Sequence, residues 1–440
     1  MFFRTLGMRF FRFTLVLFLL GSSFFFFAGC SKTSRLEKIH LAVWGTPEEL
    51  KIITDTIDAW EKRAQPDFKV EIEHIPWDSY MSKLETEIAG DTAPDVIACE
   101  STFFPNFVKR DVLEPLTQYV AADKNFNINK YYKTIVDNFS YNGQLYVIPR
   151  DISAVACVYY NKALFQQAGL AFPKDDWDYT EFVDTAKKLT RRAPDGTVQV
   201  YGFLTGFWDN FIYNAGGHFV DNEAHPTKSA IGRREFKEGL QFYYDLSYKY
   251  KVSPDFKALN KLDSGEVELF KMGRVAMLGS GIWLAPTLRL DDNLDWDIAM
   301  WPQSKKGKGI ATEIGGTGYA ILKSSKNKQK AWELVKVLAG DEGQKILAKT
   351  GLAVPANRII AEGPAWKLDT TSKPKNKAML NKALKYNNVY YPFLASWTEI
   401  QEKYIDPEID KLMNGMEPID VVIRKMDENV DKAIKKEHSK

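Results

Sequence analysis

The sequence predicts an α/β protein built from two lobes that face each other across a cleft. Two observations support this fold class. The 411 residues that follow an N-terminal leader exceed what one hydrophobic core usually supports, so two domains are expected. Strand-like and helix-like patterns alternate over residues 39–101 and again after residue 160. Such alternation is typical of parallel sheets covered by helices.

The stretch GQLYVIPRDISAVACVYYN, residues 143–161, indicates where the cleft lies. It contains two strand-like runs, Leu145–Ile148 and Ala154–Tyr160, separated by Pro149-Arg150-Asp151. Proline has no amide hydrogen to donate and does not belong in the middle of a sheet ladder. The break therefore predicts a crossing from one sheet to another, with the Arg–Asp pair at the cleft.

The leader resembles a bacterial export signal. Residues 1–12 carry three arginines and no acidic residue, and Phe13–Phe27 is almost wholly apolar but short for a membrane span. The following Ala-Gly-Cys resembles a lipobox, with Phe27 where leucine is usual. This resemblance predicts cleavage before Cys30 and lipid attachment to its thiol. Several acyl chains would then anchor the protein stably to a membrane. Ordinary secretion with Cys30 as a spare thiol is the alternative.

Composition excludes several function classes. Removing residues 1–29 changes the net charge from +2 to about −1, which gives no electrostatic case for nucleic acid binding. The five histidines are scattered and there is no CxxC motif, so neither a metal nor another cofactor is expected. Cys99 and Cys157 could pair in an exported protein, but two buried free thiols are the preferred interpretation.

The first lobe begins with a strand, Ile39–Trp44, that leads into a helix. The sequence Thr46-Pro47-Glu48-Glu49 forms a capping box, with threonine at the N-cap and glutamate at the third helical position. Apolar residues then recur at helical spacing. Two further strands, Lys69–Ile75 and Asp95–Cys99, complete a strand–helix–strand–helix–strand order. This order predicts a parallel sheet.

The second lobe alternates in the same way. Its main predicted elements are helices at 161–168, near 178–189 and at 233–250, and strands at 198–204 and 275–278. The loop 311–318 has three glycines in four residues, but no P-loop lysine motif and no helix directly after it, so a phosphate cradle is disfavoured. A second crossing, where glycine lets ligand and backbone approach closely, is the better interpretation.

Nine stretches, taken in their order and spacing, resemble one family: the extracellular solute-binding proteins of family 1, the sugar-binding lipoproteins that feed ABC importers. They run almost the whole mature chain: VWGTPEE (43–49), APDVIACES (93–101), NGQLYVIPRDIS (142–153), VYYNKALFQQAGL (158–170), YNAGGHFVD (213–221), FKMGRVAMLGSGIW (270–283), GGTGYAIL (315–322), AWELVKVLAGDEGQKILAKTG (331–351) and VPANR (354–358).

The resemblance implies the two-lobe periplasmic-binding-protein type II fold, or Venus flytrap, with hinge crossovers and an interlobe cleft. A third crossing is expected near Thr371–Lys377. The expected division is a signal peptide at 1–29, a lipidated tether at 30–38, lobe 1 at 39–148 and 316–373, and lobe 2 at 149–315 and 374–440. The C-terminal part, from Ala378 onward, is expected to form helices on lobe 2.

The resemblance also implies a function. It predicts an extracytoplasmic receptor that captures a sugar or oligosaccharide by hinge closure and delivers it to the permease subunits of an ABC importer. We expect a monomer that is lipid-anchored to the outer face of the cytoplasmic membrane, or in the periplasm, with no catalytic residue.

Sugars offer C–H faces to aromatic rings and hydroxyls to Asp, Glu, Asn and backbone amides. The candidate ligand-binding residues lie at predicted strand ends and cleft loops, where ligands bind in open α/β sheets. They are Trp44, Trp208, Trp283 and Trp397 for stacking, Glu100, Asp151 and Asn214 with the amides of Gly216 and Gly316 for hydroxyls, and additionally Tyr80 and Arg358. Each tryptophan could instead pack in a core, as is preferred for Trp60 and Trp332. Glu100 and Asp151 could instead cap helices or pair with lysine.

Three alternatives stay open. An exported glycoside hydrolase would need two carboxylates about 5 to 9.5 Å apart, and Glu100 with Asp151 is the conceivable pair. The same fold could bind a glycerol-phosphate-type ligand, but Arg150 is the only basic residue placed at the cleft. A ligand-sensing lipoprotein would keep the fold and signal instead of transporting.

Overall fold

The computed structural model of the chain describes residues 36–367 and 373–439. The signal peptide and Cys30 lie outside these residues. The strands of the described residues, in chain order, are β1 (Glu37–Val43), β2 (Phe68–His74), β3 (Val96–Glu100), β4 (Ser140–Tyr141), β5 (Gln144–Leu145), β6 (Val147–Pro149), β7 (Asp151–Ala154), β8 (Cys157–Asn161), β9 (Arg191–Arg192), β10 (Val198–Val200), β11 (Leu204–Thr205), β12 (Met277–Ser280), β13 (Trp296–Met300), β14 (Ala311–Gly315), β15 (Thr317–Ile321), β16 (Val354–Pro355) and β17 (Asn387–Val389).

Helices cover the sheets. The α-helices of the described residues are α1 (Pro47–Ala64), α2 (Trp77–Ala89), α3 (Phe104–Lys109), α4 (Thr117–Ala122), α5 (Lys133–Asn138), α6 (Lys162–Gln167), α7 (Tyr179–Leu189), α8 (Asp209–Ala215), α9 (Arg234–Tyr248), α10 (Phe256–Leu262), α11 (Glu266–Lys271), α12 (Ala285–Arg289), α13 (Lys328–Ala339), α14 (Asp341–Thr350), α15 (Arg358–Ala361), α16 (Pro364–Lys367), α17 (Met379–Ala383), α18 (Trp397–Ile400), α19 (Asp406–Met413) and α20 (Ile419–His438). Two short 3₁₀ helices lie at Ile128–Lys130 and Ile282–Leu284, and a π-helical turn lies at Gln401–Ile405.

The first sheet contains five strands in the order β2-β1-β3-β15-β6. Strands β2, β1 and β3 are parallel, as the strand–helix alternation predicts, and β15 runs antiparallel to both β3 and β6. Helices α1, α13 and α14 pack together, and α13 also packs on β15. The predicted capping box at the start of α1 is confirmed: Thr46 Oγ1 accepts from the Glu49 amide, and Glu49 Oε2 accepts from the Thr46 amide.

The second sheet contains four strands in the order β11-β12-β8-β13. Strand β8 runs antiparallel to β12 and β13, and β11 runs parallel to β12. The buried chain here is aromatic as well as aliphatic, with Trp296, Trp301 and Tyr159 fully buried. The predicted strand over 198–204 is two short strands, β10 and β11, that belong to different sheets.

A third sheet, in the order β16-β7-β14-β17, joins the other two. The chain leaves the first sheet at the end of β6 and enters the third at β7, with Arg150 alone between them. It returns from β14 to β15 across Gly316, and β14 pairs with β7. The two crossings predicted at residues 149–151 and 311–318 are therefore confirmed, and they are hydrogen-bonded to each other.

Two details of the crossings differ from prediction. The glycine-rich segment is strand and not loop, because its backbone pairs with β7, β3 and β6. The single strand predicted over Ala154–Tyr160 is the end of β7 followed by β8 in another sheet. The chain stays buried in both sheets, so hydrophobicity alone carries no sign of the change.

The third predicted crossing, Thr371–Lys377, begins outside the described residues. Within its described part, Lys373 Nζ donates to the Leu294 carbonyl, beside the second sheet, and Asn376 Nδ2 donates to the Ile298 carbonyl of β13. The part from Ala378 onward is mainly helical, and it adds strand β17 to the third sheet.

The two remaining cysteines lie in different sheets, Cys99 in β3 and Cys157 in β8, and both are free and buried. Burial raises the pKa of both thiols. Among the described residues, no helix has the length and apolar character needed to cross a membrane.

Candidate functional site

A cavity of about 680 Å³ lies where the carboxyl ends of β1 and β3 face the second and third sheets. This volume falls within the range of about 300–1,000 Å³ that is usual for small-molecule sites. Aromatic rings and carboxylates dominate its lining: Trp44, Glu49, Trp77, Glu100, Arg150, Asp151, Phe207, Trp283, Glu313, Gly316 and Tyr391 are among the lining residues.

Local structure explains how the first side of the cavity is built. Trp44 directly follows β1, and Glu100 is the last residue of β3. Glu49 faces the cavity from the first turn of α1, where the capping box holds it. These residues therefore project from the carboxyl edge of the sheet, which is the binding edge of open α/β sheets.

An aromatic cluster covers the first side of the cavity. The Trp44 ring meets the Trp77 ring edge to face, with centroids 5.1 Å apart. Trp77 stacks on Phe103 at 5.0 Å and is 48% exposed. Tyr80 supports Trp44 from beneath, with ring centroids 4.8 Å apart. An amphipathic ligand ring can therefore rest on indole faces that are already held in place.

A second aromatic pair lies across the cavity. Trp283, in the 3₁₀ helix after β12, contacts Phe207 with centroids 5.7 Å apart. Both rings line the cavity that Trp44 and Trp77 line. Rings are thus available on two sides of one ligand.

Glu100 is the carboxylate with the most altered acidity on the first side. Its Oε2 accepts from the Thr102 amide at 2.8 Å and from the Thr102 hydroxyl. Burial raises the pKa of Glu100 to about 7, although the hydrogen bonds from Thr102 oppose this rise. Near neutral pH, Glu100 therefore exists in both protonation states.

Asp151 ties the two crossings together. Its Oδ2 accepts from Arg150 Nε at 2.7 Å, and its Oδ1 accepts from the Thr317 amide at 3.0 Å. The Arg150 amide donates to the Thr317 carbonyl at 2.7 Å. Burial acts to lower the pKa of Arg150, but the negative charge of Asp151 outweighs burial and raises this pKa. The pair is a buried, hydrogen-bonded ion pair at the base of the cavity.

A second acidic pair lies on the side of β14. Glu313 accepts from the Tyr391 hydroxyl at 2.8 Å and forms a hydrogen bond with the Asp209 carboxyl. Burial, followed by the charge of Asp209, raises the pKa of Glu313 well above its ordinary value. Burial also raises the pKa of Asp209, to about 6. The two buried carboxyl groups therefore resist ionising together, because a second negative charge beside the first is unfavourable.

Five of the residues predicted to bind ligand line this cavity: Trp44, Glu100, Asp151, Trp283 and Gly316. The Gly316 amide does not have the predicted role of a free donor, because it donates to Ser101 Oγ at 2.9 Å. A Cβ at Gly316 would lie 2.4 Å from the Asp151 carbonyl oxygen. Glycine at this position allows the crossings to approach each other closely.

The structure places Tyr80 and Trp397 in the core instead. Tyr80 is fully buried, and its hydroxyl lies within hydrogen-bonding distance of the Ala42 and Ala98 carbonyls, so it braces the sheet under Trp44. Trp397 is 2% exposed and packs edge to face on Phe219. Neither ring lines the cavity, because each is enclosed within its own side of the molecule.

Three further predicted residues lie away from this cavity. Trp208 lines a separate cavity of about 240 Å³. Asn214 is buried and holds β14, with Nδ2 donating to the Ala311 carbonyl and Oδ1 accepting from the Ala311 amide. Gly216 caps α8 with φ of 90°, and its amide donates to Tyr213. Arg358, the additional candidate, begins α15 and does not line the cavity.

Sequence reasoning missed Glu49, Trp77, Glu313 and Tyr391. Trp77 is the first residue of α2 and follows the carboxyl end of β2. That position was a usable signal, as was the capping-box position of Glu49. No local pattern marks Glu313 or Tyr391, which meet across 78 residues of chain.

The arrangement offers stacking surfaces and carboxylate acceptors. Among the described residues, no group of three His, Cys, Asp or Glu side chains could hold a metal ion.

Known proteins that are similar in sequence to this chain are named as oligosaccharide-binding proteins. The chain is 24% identical over 344 residues to the galactooligosaccharide-binding protein of Bacillus subtilis. The matched region covers 76% of this chain and 77% of that protein. It is 27% identical over 237 residues to a maltooligosaccharide ABC transporter solute-binding lipoprotein of Streptococcus pneumoniae, covering 52% of this chain and 54% of that protein.

The structure resembles an ABC substrate-binding protein of Listeria monocytogenes in complex with cycloalternan. The TM-score is 0.80 at 27% identity, and the match covers 91% of this chain and 99% of that one. The fold is therefore the two-lobe periplasmic-binding-protein type II fold, as the sequence predicts. Residues 44–345 match the family of bacterial extracellular solute-binding proteins, and this chain belongs to that family.

Proposed function

We propose that this protein is an extracytoplasmic carbohydrate receptor that captures a sugar or oligosaccharide in the cleft and delivers it to an ABC importer. One observation carries the proposal: aromatic rings on two sides of one cavity, Trp44 with Trp77 and Trp283 with Phe207, surround carboxylates. Rings stack on the C–H faces of a sugar, and carboxylates accept hydrogen bonds from its hydroxyls. The saccharides named for the relatives above support this ligand class.

Closure follows from the crossings. A ligand that touches Trp44 on one side and Trp283 on the other stabilises the arrangement in which both sides approach it. Two hydrogen-bonded crossings at residues 149–151 and 315–317 permit this motion while they hold the sides in register. The importer's permease would then recognise the closed form.

Export and anchoring complete the proposal. The family is extracellular, and the Streptococcus pneumoniae relative is named a lipoprotein. We place the lipid on Cys30, which lies outside the described residues, and the mature protein on the outer face of the cytoplasmic membrane.

The geometry gives less support to the other hypotheses. Among the described residues that line the cavity, Arg150 is the only Lys or Arg, and it is already paired with Asp151. No unpaired Lys or Arg of this lining is therefore available to bind the phosphate of a glycerol phosphate. A hydrolase would need Asp151 as a nucleophile or base, but both its oxygens already accept hydrogen bonds. The matched family is also not an enzyme family.

Tryptophan fluorescence of the soluble chain from Lys32 onward, titrated with a panel of mono- and oligosaccharides, tests the proposal. We expect a saturable spectral shift that is lost in Trp44→Ala and Trp283→Ala. Trp60→Phe is the matched control, because Trp60 is buried in α1 and should leave the response intact. Release of reducing ends during the titration would support the hydrolase. A response to glycerol phosphates alone would overturn the ligand class.

A further inference from the structure

We propose that Arg289 is a latch that joins the two sides of the closed cleft and sets how long a bound saccharide stays. The inference rests on the proposed function and adds to it the residue that holds the cleft shut. It follows from a contact between an arginine beside the second sheet and the end of a helix beside the first.

The Arg289 guanidinium contacts two successive carbonyl groups at the end of α14. Its Nη1 donates to the Thr350 carbonyl at 2.5 Å, and its Nη2 donates to the Gly351 carbonyl at 3.3 Å. Both hydrogen bonds are partly buried. A guanidinium suits such paired acceptors because its N–H groups point in fixed directions, whereas the ammonium group of a lysine is a single point charge.

The end of α14 is a suitable partner for a cation. Thr350 is the last residue of this helix, and the carbonyl groups of a last helical turn need partners from outside the helix. The carboxyl end of a helix also carries partial negative charge. Gly351 follows in the left-handed conformation, with φ of 65°, and a Cβ there would lie 3.2 Å from Arg289 Nη2. Glycine therefore ends the helix and leaves room for the guanidinium.

The two partners belong to opposite sides of the molecule. Helix α12, which ends at Arg289, follows strand β12 of the second sheet. Helix α14 packs with α1 and α13, and α13 packs on β15 of the first sheet. Helix α12 also packs against α1. Arg289 therefore adds a noncovalent link between two sides that the chain itself joins through the crossings.

The contact also lies beside the ligand cavity. Trp283, in the 3₁₀ helix that leads into α12, lines the cavity, and so do Leu352 and Ala353, which directly follow Gly351. A ligand that draws the side of Trp283 toward the first sheet therefore brings α12 and the end of α14 together. Opening of the cleft about the crossings separates them again and breaks both hydrogen bonds.

Such a link acts on ligand release more than on ligand capture. A ligand enters the open cleft, in which the latch is apart, so the association rate should not depend on Arg289. Release requires opening, and opening breaks hydrogen bonds that the charge of Arg289 strengthens. Because hydrogen bonds to charged groups contribute more than neutral ones, loss of the guanidinium should speed release at least about tenfold.

Stopped-flow tryptophan fluorescence of the soluble chain from Lys32 onward measures both rates. The probes are glucose, galactose, maltotriose, cellotriose and galactotriose, and each probe that gives a saturable change is used. In Arg289→Met, which keeps an apolar side chain and removes the donors, we expect release at least about tenfold faster and an association rate close to that of the wild type. The dissociation constant should rise by the same factor as the release rate.

Two further variants separate a latch from a general structural role. Arg289→Lys keeps the charge but not the paired donors, so its release rate should lie between those of the wild type and Arg289→Met. Arg274→Met is the matched control and should change neither rate. Arg274 Nε also donates to a backbone carbonyl, that of Gln199 at 2.9 Å, but here the neighbouring residues Tyr201 and Val275 pair on one side of the molecule. Partial unfolding of any variant would lower the amplitude of the signal and leave the rates of the folded molecules unchanged.

The outcomes separate this inference from the function beneath it. Release from Arg289→Met at the wild-type rate would overturn the latch and leave the carbohydrate receptor intact. A loss of affinity that comes from slower association alone would also overturn the latch. A failure of every saccharide to bind would overturn both. If Arg289→Met does not fold, Arg289→Lys decides the question: faster release supports the latch, and an unchanged rate overturns it.

Discussion

Replacing Glu100 by glutamine should stabilise the ligand-free protein at alkaline pH and leave its stability almost unchanged in acid. The unfolded chain ionises Glu100 near its ordinary pKa of 4.5, whereas burial raises the pKa in the folded protein to about 7. Between these values the folded state binds more protons than the unfolded state. The free energy of unfolding of the wild type therefore falls as pH rises through this window.

The magnitude follows from the pKa. Each pKa unit corresponds to about 1.4 kcal/mol, so a rise from 4.5 to about 7 makes the ionised carboxylate cost about 3 kcal/mol in the folded protein above pH 7. Glutamine keeps an oxygen that can accept from Thr102 and does not ionise. The variant should therefore be about 3 kcal/mol more stable than the wild type at pH 8 and less than about 1 kcal/mol more stable at pH 5.

Urea denaturation of both proteins at pH 5 and pH 8, followed by far-UV circular dichroism, measures this difference. The groups that face Glu100, namely Asp151, Glu313 and Tyr391, are present in both proteins, so their own titrations largely cancel. Glu362→Gln, on the surface, should give the same stability as the wild type at both pH values. A difference that does not change with pH, or a Glu100→Gln variant less stable at pH 8, would refute the reasoning.

Three further predictions concern the crossings, the core and the C-terminal helix. Gly316→Ala places a Cβ 2.4 Å from the Asp151 carbonyl; it should lower the free energy of unfolding by about 1–3 kcal/mol and weaken the fluorescence response to ligand. Trp397→Ala, which empties a buried site, should cost about 3–5 kcal/mol in urea denaturation with unchanged ligand affinity. Lys109→Met removes a 2.8 Å ion pair with Glu437 and should cost about 1–2 kcal/mol at pH 7. Burial opposes the shift, but hydrogen bonds from Lys109, from Ser396 and from the Ala395 amide lower the pKa of Glu437 to about 2. The cost should therefore shrink as pH falls from 4.5 toward 2.

Each of these has a control or a contrary outcome. Gly265→Ala meets no atom within 4 Å and should not weaken ligand binding. A Trp397→Ala protein that stays folded but loses affinity would place that ring at the ligand after all. A cost of Lys109→Met that stays constant from pH 7 to pH 2 would show that the ion pair contributes nothing.

The fold was largely predictable because its breaks are local. Proline at 149 has no amide hydrogen to donate, and it forms the last residue of the edge strand β6. The capping box at 46–49 marks the start of a helix in the same local way. The division of residues 154–160 between two sheets was not predictable, since the chain stays buried on both sides of the change.

The site was only partly predictable because a side chain's type does not say which wall it faces. Trp44 and Tyr80 are neighbours in space, yet one ring reaches the cavity and the other supports it from beneath. Asp151 was predicted to bond a ligand from its position at the crossing, but its partners include Thr317, 166 residues away. Pairing over such distances leaves no trace in local sequence.

The burial of Cys99 and Cys157 has a practical consequence. A soluble form that starts at Lys32 lacks Cys30, and the described chain then presents no accessible thiol to a maleimide dye. A cysteine introduced at the mouth of the cleft, such as His74→Cys at an exposed position that also lines the cavity, would carry the only reactive label. The emission of such a dye would change as the cleft closes, which makes this scaffold suited to a reagentless optical sensor for its own ligand.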